Sequence, residues 1–203
     1  RVFLEEALAL FERGNRSDYI LAAMADRFFD SPNDPYFKLV FEALEESGSS
    51  VPLQGNDSAA RGFSISKDGW TSGRDPGYLI LKNRGDSPLM FTLKLANHAS
   101  DSYLPITVTV SDGLSVREGI FPDELRNVFR IPLNPVEPGE ERIVRIKADK
   151  AWWSKGSDGR KLGIRVFLEE ALALFERGNR SDYILAAMAD RFFDSPNDPY
   201  FKL

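Results

Sequence analysis

The feature that most constrains this chain is an internal repeat without a single difference. Residues 1–39 recur unchanged at 165–203, so the 203 residues hold one period of 164 residues followed by a second 39-residue copy. Diverged repeats keep a core pattern while their surface positions drift, whereas polar positions are identical here as well. Three origins are open: a tandem array, an engineered extension or permutation, or a sequence that does not follow one natural reading frame.

Each copy of the repeat has the apolar spacing of short helices. In the first copy one apolar stripe ends at Gly14, a second helix starts near Ser17, and a third starts at Pro35. The apolar pattern of this third helix continues beyond the repeated residues. The sequence therefore predicts a segment of three helices at 1–47 and a second copy of it at 168–203.

The helical copies are rich in aromatic residues, with five Phe and two Tyr in each. Short helices of this kind must bury their apolar face against another element. One sandwich offers one docking surface for this segment, so the surplus copy would pack on the first or dock on a neighbouring molecule. Self-association through the duplicated segment is therefore one expectation.

The central part of the chain has a different periodicity. Residues 48–61 are rich in Gly, Ser, Asn and Asp and are predicted to be a linker. From residue 62 the apolar pattern repeats every two residues in seven or eight short runs separated by turn signals. This pattern predicts an antiparallel β-sandwich of jelly-roll or immunoglobulin-like type over 62–167, and hence an α+β fold flanked by two identical helical segments.

Composition excludes several classes of protein. The chain has no Cys and one His, so zinc sites built on Cys and His, thiol catalysis and disulfide frameworks are excluded. Lys and Arg number 26 against 31 Asp and Glu, a net charge of −5, which argues against a nucleic-acid partner. No apolar run is long enough for a membrane span.

Short motifs in the β region carry a family resemblance. Their order is Gly-Phe-Ser-Ile from residue 62, Asp-Gly-Trp from 68, Asp-Gly from 112, and Ser-Asp-Gly-Arg-Lys-Leu-Gly-Ile over 157–164. This order resembles the β-sandwich module attached to bacterial multidomain glycosyltransferases and polysaccharide-biosynthesis proteins. The resemblance covers about residues 60–167. It implies a non-catalytic accessory module that holds glycan or positions neighbouring domains, and it supplies no catalytic residues.

The three Trp residues of the chain all lie in the β region and are the leading candidates for ligand contact. Sugars present apolar C–H faces that stack on aromatic rings, while neighbouring carboxylates and guanidinium groups bind their hydroxyls. The candidate glycan-binding residues are Trp70, Trp152, Trp153, Asp158 and Arg160.

A structural role for the same residues is the competing interpretation. Side chains alternate along a strand, so one of the adjacent Trp152 and Trp153 should point inward and the other outward. The inward one would then close the end of the sandwich. Asp158 and Arg160 would form an ion pair or a turn.

The sequence offers little catalytic chemistry. Adjacent carboxylates on a helix face different directions, and the sequence has no G-x-S-x-G motif and no phosphate-binding loop of P-loop spacing. Asn97, Asp101 and Asp112 carry oxygens on predicted loops, but without a calcium-type ladder we expect them to be solvated. We therefore expect no enzyme activity, no cofactor and no metal.

Two functional hypotheses follow. The first is a non-catalytic accessory module of a glycan-assembly protein, which contacts glycan or positions neighbouring domains; a cytoplasmic location would fit a link to a glycosyltransferase. The alternative is a structural or adhesive module of a tandem-repeat protein of a bacterial cell surface or filament.

Overall fold

A computed structural model of the chain describes residues 4–29, 33–46, 51–52, 60–73, 75–86, 88–154 and 159–170, with residues 185, 188 and 189 of the second copy. These ranges contain three helices, eleven strands and one short 3₁₀ turn. The helices are α1 (Leu4–Glu12), α2 (Asp18–Phe28) and α3 (Pro35–Glu46). The strands are β1 (Val51–Pro52), β2 (Ala60–Phe63), β3 (Trp70–Ser72), β4 (Gly77–Lys82), β5 (Phe91–Ala96), β6 (Ile106–Ser111), β7 (Val116–Phe121), β8 (Val128–Pro132), β9 (Glu141–Ala148), β10 (Trp152–Trp153) and β11 (Lys161–Glu170).

The strands form two antiparallel sheets. One sheet has the order β1-β2-β4-β9-β6-β7, and the other contains β8, β5 and β11, with β3 and β10 also paired to β11. Leu79, Leu93, Val108, Val144 and Ile164 are fully buried members of one apolar cluster formed by both sheets. The predicted α+β fold with an antiparallel sandwich is confirmed. Among the described helices, none is long and apolar enough to cross a membrane.

The first helical segment covers the outer face of the six-stranded sheet. Because side chains alternate along β4, Tyr78 and Ile80 point away from the sandwich core. Together with Phe63 of β2 and Ile143 of β9 they form a second apolar cluster with the three helices. The central strand β4 is therefore buried on both faces, and its run of apolar residues serves two cores.

Charged groups surround this helix–sheet contact. Arg145 of β9 pairs with Asp26 of α2, and its guanidinium lies 4.2 Å from the ring centre of Phe29. Lys82 of β4 bridges Glu45 of α3 at 3.2 Å and Glu141 of β9 at 2.6 Å. These partly exposed pairs orient the helices over the sheet, while the buried apolar side chains supply most of the stabilisation.

Strand β11 continues into the second copy of the repeat. It was predicted to end at residue 167, but it runs to Glu170 and pairs with β5 from Arg165 onward. Val166 and Leu168 are buried in the sandwich core, which explains why the strand persists. The same sequence in the first copy places its last three residues in the first turn of α1. Identical residues thus adopt strand or helix according to what lies beside them.

The predicted linker contains a short strand. Within the predicted linker, β1 pairs with Arg61 and Gly62 of β2, so part of this segment extends the six-stranded sheet. In the predicted second helical segment, residues 168–170 are the end of β11, whereas Leu185, Met188 and Ala189 have a helical backbone. Its other residues lie outside the described ones.

Asp112 is buried, so the expectation that this loop carboxylate is solvated is wrong. It is 3% exposed, and its carboxylate accepts hydrogen bonds from the backbone N–H groups of Leu114, Ser115 and Asn134 at 2.8–3.1 Å. The Asn134 side-chain amide donates a further bond of 2.8 Å. Burial alone would raise the pKa of Asp112, but these donors outweigh burial and lower it. The carboxylate fastens the β6–β7 turn to the segment that precedes β9.

Substitution of this carboxylate should change how stability depends on pH. At neutral pH we expect Asp112→Asn to lower the free energy of unfolding by about 1–3 kcal/mol, because several buried donors lose an ionised acceptor. Because the pKa of Asp112 is lowered in the folded protein, its carboxylate stabilises the fold at pH values above the ordinary aspartate value of 3.8. This stabilisation is lost as the pH falls below that value. Urea unfolding from pH 7 to pH 2.5 should therefore show the two proteins converging in acid. The exposed Asp86→Asn is the control, and a constant difference across this range would contradict the assignment.

Candidate functional site

A cleft of about 420 Å³ lies beside the start of β11. One wall is formed by the residues around β3, a second by Arg160 and the first residues of β11, and Asp18 of α2 contributes to the rim. Ser64 has a left-handed backbone with φ of 54°, which is uncommon outside glycine. The lining residues are Asp18, Phe63, Ser64, Ile65, Ser66, Trp70, Thr71, Ser72, Arg160, Lys161 and Leu162.

Trp70 and Trp152 form the buried support of this cleft. They are 9% and 6% exposed, and their rings meet edge to face with centroids 5.6 Å apart. His98 packs against the other side of this group, 5.6 Å from the Trp70 ring. The indole N–H of Trp152 donates to the carbonyl of Gly163 at 3.1 Å. Trp152 is therefore a structural anchor, and Trp70 both anchors the turn and lines the cleft.

Trp153 is the outward member of the adjacent pair, as the alternation predicted. Its side chain is 57% exposed. It lies directly opposite Lys161 in the β10–β11 pairing, and residues opposite each other in a pair share one face of a sheet. Lys161 also lines the cleft, so this one residue of β11 connects the exposed indole with the cleft.

Arg160 is held by Asp68, which lies in the turn before β3. Two nitrogens of the guanidinium donate to the two carboxylate oxygens of Asp68 at 3.2 and 2.8 Å. The Ser66 hydroxyl donates to the same carboxylate at 2.6 Å. The hydrogen bond from Arg160, followed by that from Ser66, holds the pKa of Asp68 well below its usual range. Asp158, the predicted partner, lies outside the described residues.

The Asp68 carboxylate is therefore a positioning group. A carboxylate that stays ionised and accepts three hydrogen bonds holds the guanidinium in one plane at the mouth of the cleft. The same turn is closed by the Ser66 hydroxyl, which accepts the backbone N–H of Trp70 at 3.0 Å. Arg165 donates to the backbone carbonyl of Asp68 at 2.9 Å and ties the turn to β11. The guanidinium of Arg160 is thus oriented in advance to donate hydrogen bonds to a ligand.

Sequence reasoning placed Trp70 and Arg160 in one site but missed several of their neighbours. Asp18 is the first residue of α2, and its approach to the cleft depends on how that helix docks. Ser66 and Thr71 flank Trp70 in the sequence, and their hydroxyls were the available signal. The Thr71 hydroxyl accepts the backbone N–H of Ile164 at 2.9 Å and so joins β3 to β11.

Several solved structures are distantly similar to this chain. No protein-family model matches the sequence. No curated protein matches it either. Among solved structures, a GH115 4-O-methyl-α-glucuronidase is 19% identical with a TM-score of 0.33, over 62% of this chain and 16% of its own. A ruminal GH26 endo-β-1,4-mannanase is 14% identical with a TM-score of 0.32, over 69% of this chain and 26% of its own.

A third solved structure is similar over most of its own length. It is a CBM35 module in complex with a disaccharide that contains glucuronic acid, and it is 9% identical with a TM-score of 0.32. The match covers 63% of this chain and 89% of that module. The chain thus spans a small part of the two enzymes and nearly all of the module.

Proposed function

We propose that this protein is a non-catalytic accessory module of a glycan-assembly protein and that it binds glycan at the surface formed by Trp153 and the adjacent cleft. The observation that carries the proposal is the position of Trp153. The exposed indole of Trp153 lies opposite Lys161, and Lys161 lines the cleft together with the aligned guanidinium of Arg160.

The exposed indole supplies the apolar part of such a site. Exposure of an apolar ring of this size to water is unfavourable. Its transfer from water to contact with an apolar surface is therefore favourable. Sugar rings have C–H faces of matching width and flatness. The neighbouring Trp152 is buried and hydrogen-bonded, so the strand that carries Trp153 is fixed before any ligand arrives.

The cleft supplies the polar part. Hydroxyl groups of Ser64, Ser66 and Ser72 and the cations of Arg160 and Lys161 line it. Hydroxyls and guanidinium groups form directed hydrogen bonds with the ring hydroxyls of a sugar. A shallow surface with one exposed ring and several donors is the arrangement expected of a module that holds a carbohydrate chain.

The accessory and non-catalytic parts of the proposal rest on the motifs and on Asp68. The order of short motifs over residues 60–167 resembles a module that accompanies glycan-assembling enzymes. The carboxylate of Asp68 is engaged by Arg160 and Ser66, and its lowered pKa suits a fixed charge rather than a proton donor. Glycan binding next to an attached enzyme would raise the local concentration of its substrate.

Substitution of Trp153 tests the proposal. The wild-type chain is first screened against immobilised neutral and uronate-containing polysaccharides, and calorimetric titration with oligosaccharides of the retained type then gives an affinity. We expect Trp153→Ala to weaken that affinity about tenfold, which corresponds to about 1.4 kcal/mol of lost contact. Thermal unfolding of this variant should match the wild type, because the side chain is exposed.

Val116→Ala is the matched control. Val116 is a 68% exposed apolar residue on β7 at the edge of the other sheet, so its loss should leave glycan affinity unchanged. The proposed function is refuted if the wild type retains no glycan. It is also refuted if the two variants lose affinity equally.

A further inference from the structure

The six-residue sequence Arg-Val-Phe-Leu-Glu-Glu occurs twice, and its last three residues are helical in the first copy and part of a strand in the second. In the second copy, Arg165–Glu170 forms the last part of β11 and pairs residue by residue with β5 from Ala96 to Phe91. Val166 is 1% exposed and Leu168 is 4% exposed within the sandwich core. The side chain of Phe167 lies on the other face, with the Lys94 amine 5.3 Å from its ring centre. This segment therefore completes the second sheet.

The described part of the first copy lies at the start of a helix. Its last three residues form the first turn of α1, and Glu5 and Glu6 are exposed. Further along that helix, Ala7 and Phe11 are buried. Unwinding the first turn would leave these buried contacts in place. Helix ends also open at low cost, since their first backbone N–H groups have no partner within the helix.

We propose that Arg1–Glu6 of one molecule can replace Arg165–Glu170 in a second copy of this chain. Because the two sequences are identical, the incoming strand would keep the register on β5 and place Val2 and Leu4 where Val166 and Leu168 are buried. Strand addition of this kind gains main-chain hydrogen bonds together with side-chain pockets. The inference is independent of the proposed glycan function.

The geometry of the exchange determines the kind of assembly. The donated strand and the accepting edge of β5 are different parts of the molecule, so the contact is heterologous and produces rings or open chains. In the wild type the resident segment is covalently attached and competes at high effective concentration. Exchange should therefore become visible when the resident segment is weakened.

Leu168→Asp in the full chain provides the test. A charge in the sandwich core disables the resident strand, while the identical Arg1–Glu6 of every molecule remains intact. We expect light scattering after size exclusion to show assemblies of several chains that keep β-sheet circular dichroism. A synthetic peptide with the sequence of residues 1–6, in excess, should convert these assemblies into single chains.

Two variants separate strand exchange from aggregation. Leu4→Asp alters only the donor and should keep the mass of the wild type. Leu4→Asp combined with Leu168→Asp removes both functional strands and should lose the ordered assemblies. The proposal is refuted if Leu168→Asp stays a single chain, folded or unfolded. It is equally refuted if the combined variant assembles as Leu168→Asp does, or if the peptide has no effect on the assemblies.

Discussion

Leu21→Ala should lower the free energy of unfolding by about 2–5 kcal/mol, the range for large-to-small substitutions in a packed core. Leu21 is fully buried in α2, in the apolar cluster that joins the helices to the six-stranded sheet. The same substitution at Leu185, its counterpart in the second copy, should cost less than half as much. That side chain is 41% exposed.

The comparison is unusually well controlled because the two sites share their sequence surroundings. Intrinsic helix propensity and the effect of Ala on the unfolded chain are the same at both positions, so the difference reports tertiary burial. Chemical denaturation followed by circular dichroism gives both values. Equal losses of unfolding free energy at Leu21 and Leu185 would show that the two copies share the outer face of the six-stranded sheet. That result would contradict the packing described for the first copy.

Trp152→Ala should be the most destabilising change near the candidate site, at about 3–5 kcal/mol. The substitution removes a buried indole, its edge-to-face contact with Trp70, and the hydrogen bond to the carbonyl of Gly163. Trp153→Ala, one residue further along, should cost less than about 1 kcal/mol because its side chain is largely exposed. Thermal and urea unfolding of the two variants measure the contrast.

A conservative substitution separates the two contributions of Trp152. Trp152→Phe keeps an aromatic ring but loses the indole N–H, which leaves the Gly163 carbonyl without this donor. We expect it to lose about 1–3 kcal/mol, less than Trp152→Ala. If Trp153→Ala destabilised the protein more than Trp152→Ala, the inward and outward assignments of the pair would be wrong.

The sequence predicted the sandwich because strand periodicity is a local property. Alternation every two residues and Asp-Gly turn signals identified most strands, and the same rule separated Trp152 from Trp153. The end of β11 could not be found in this way. Alternation of apolar residues in the run that contains Val166 and Leu168 predicts a strand. The spacing of Leu168 from later apolar residues predicts a helix. The free edge of β5 decides between them, and that edge exists only in the folded protein.

The candidate site was predictable in its aromatic residues and less so in its charges. Trp70 and Arg160 are brought together as expected, but Arg160 pairs with Asp68, which is 92 residues away along the chain. The sequence also predicted an interaction of Arg160 with Asp158, which lies outside the described residues. Pairing of β3 with β11 brings the Asp68 turn to the start of β11, a proximity that the local sequence does not show. Asp18 reaches the rim only through the docking of α2.

The indole signals of the protein give the most direct test of glycan binding at Trp153. The chain has three Trp residues, so a ¹⁵N-labelled sample gives three indole N–H resonances, which single Trp→Phe variants assign. On titration with the oligosaccharide that the protein retains, we predict a large shift for Trp153, a smaller one for Trp70, and none for Trp152, whose N–H is bonded to Gly163. A titration that saturates without moving the Trp153 resonance would contradict the proposed site.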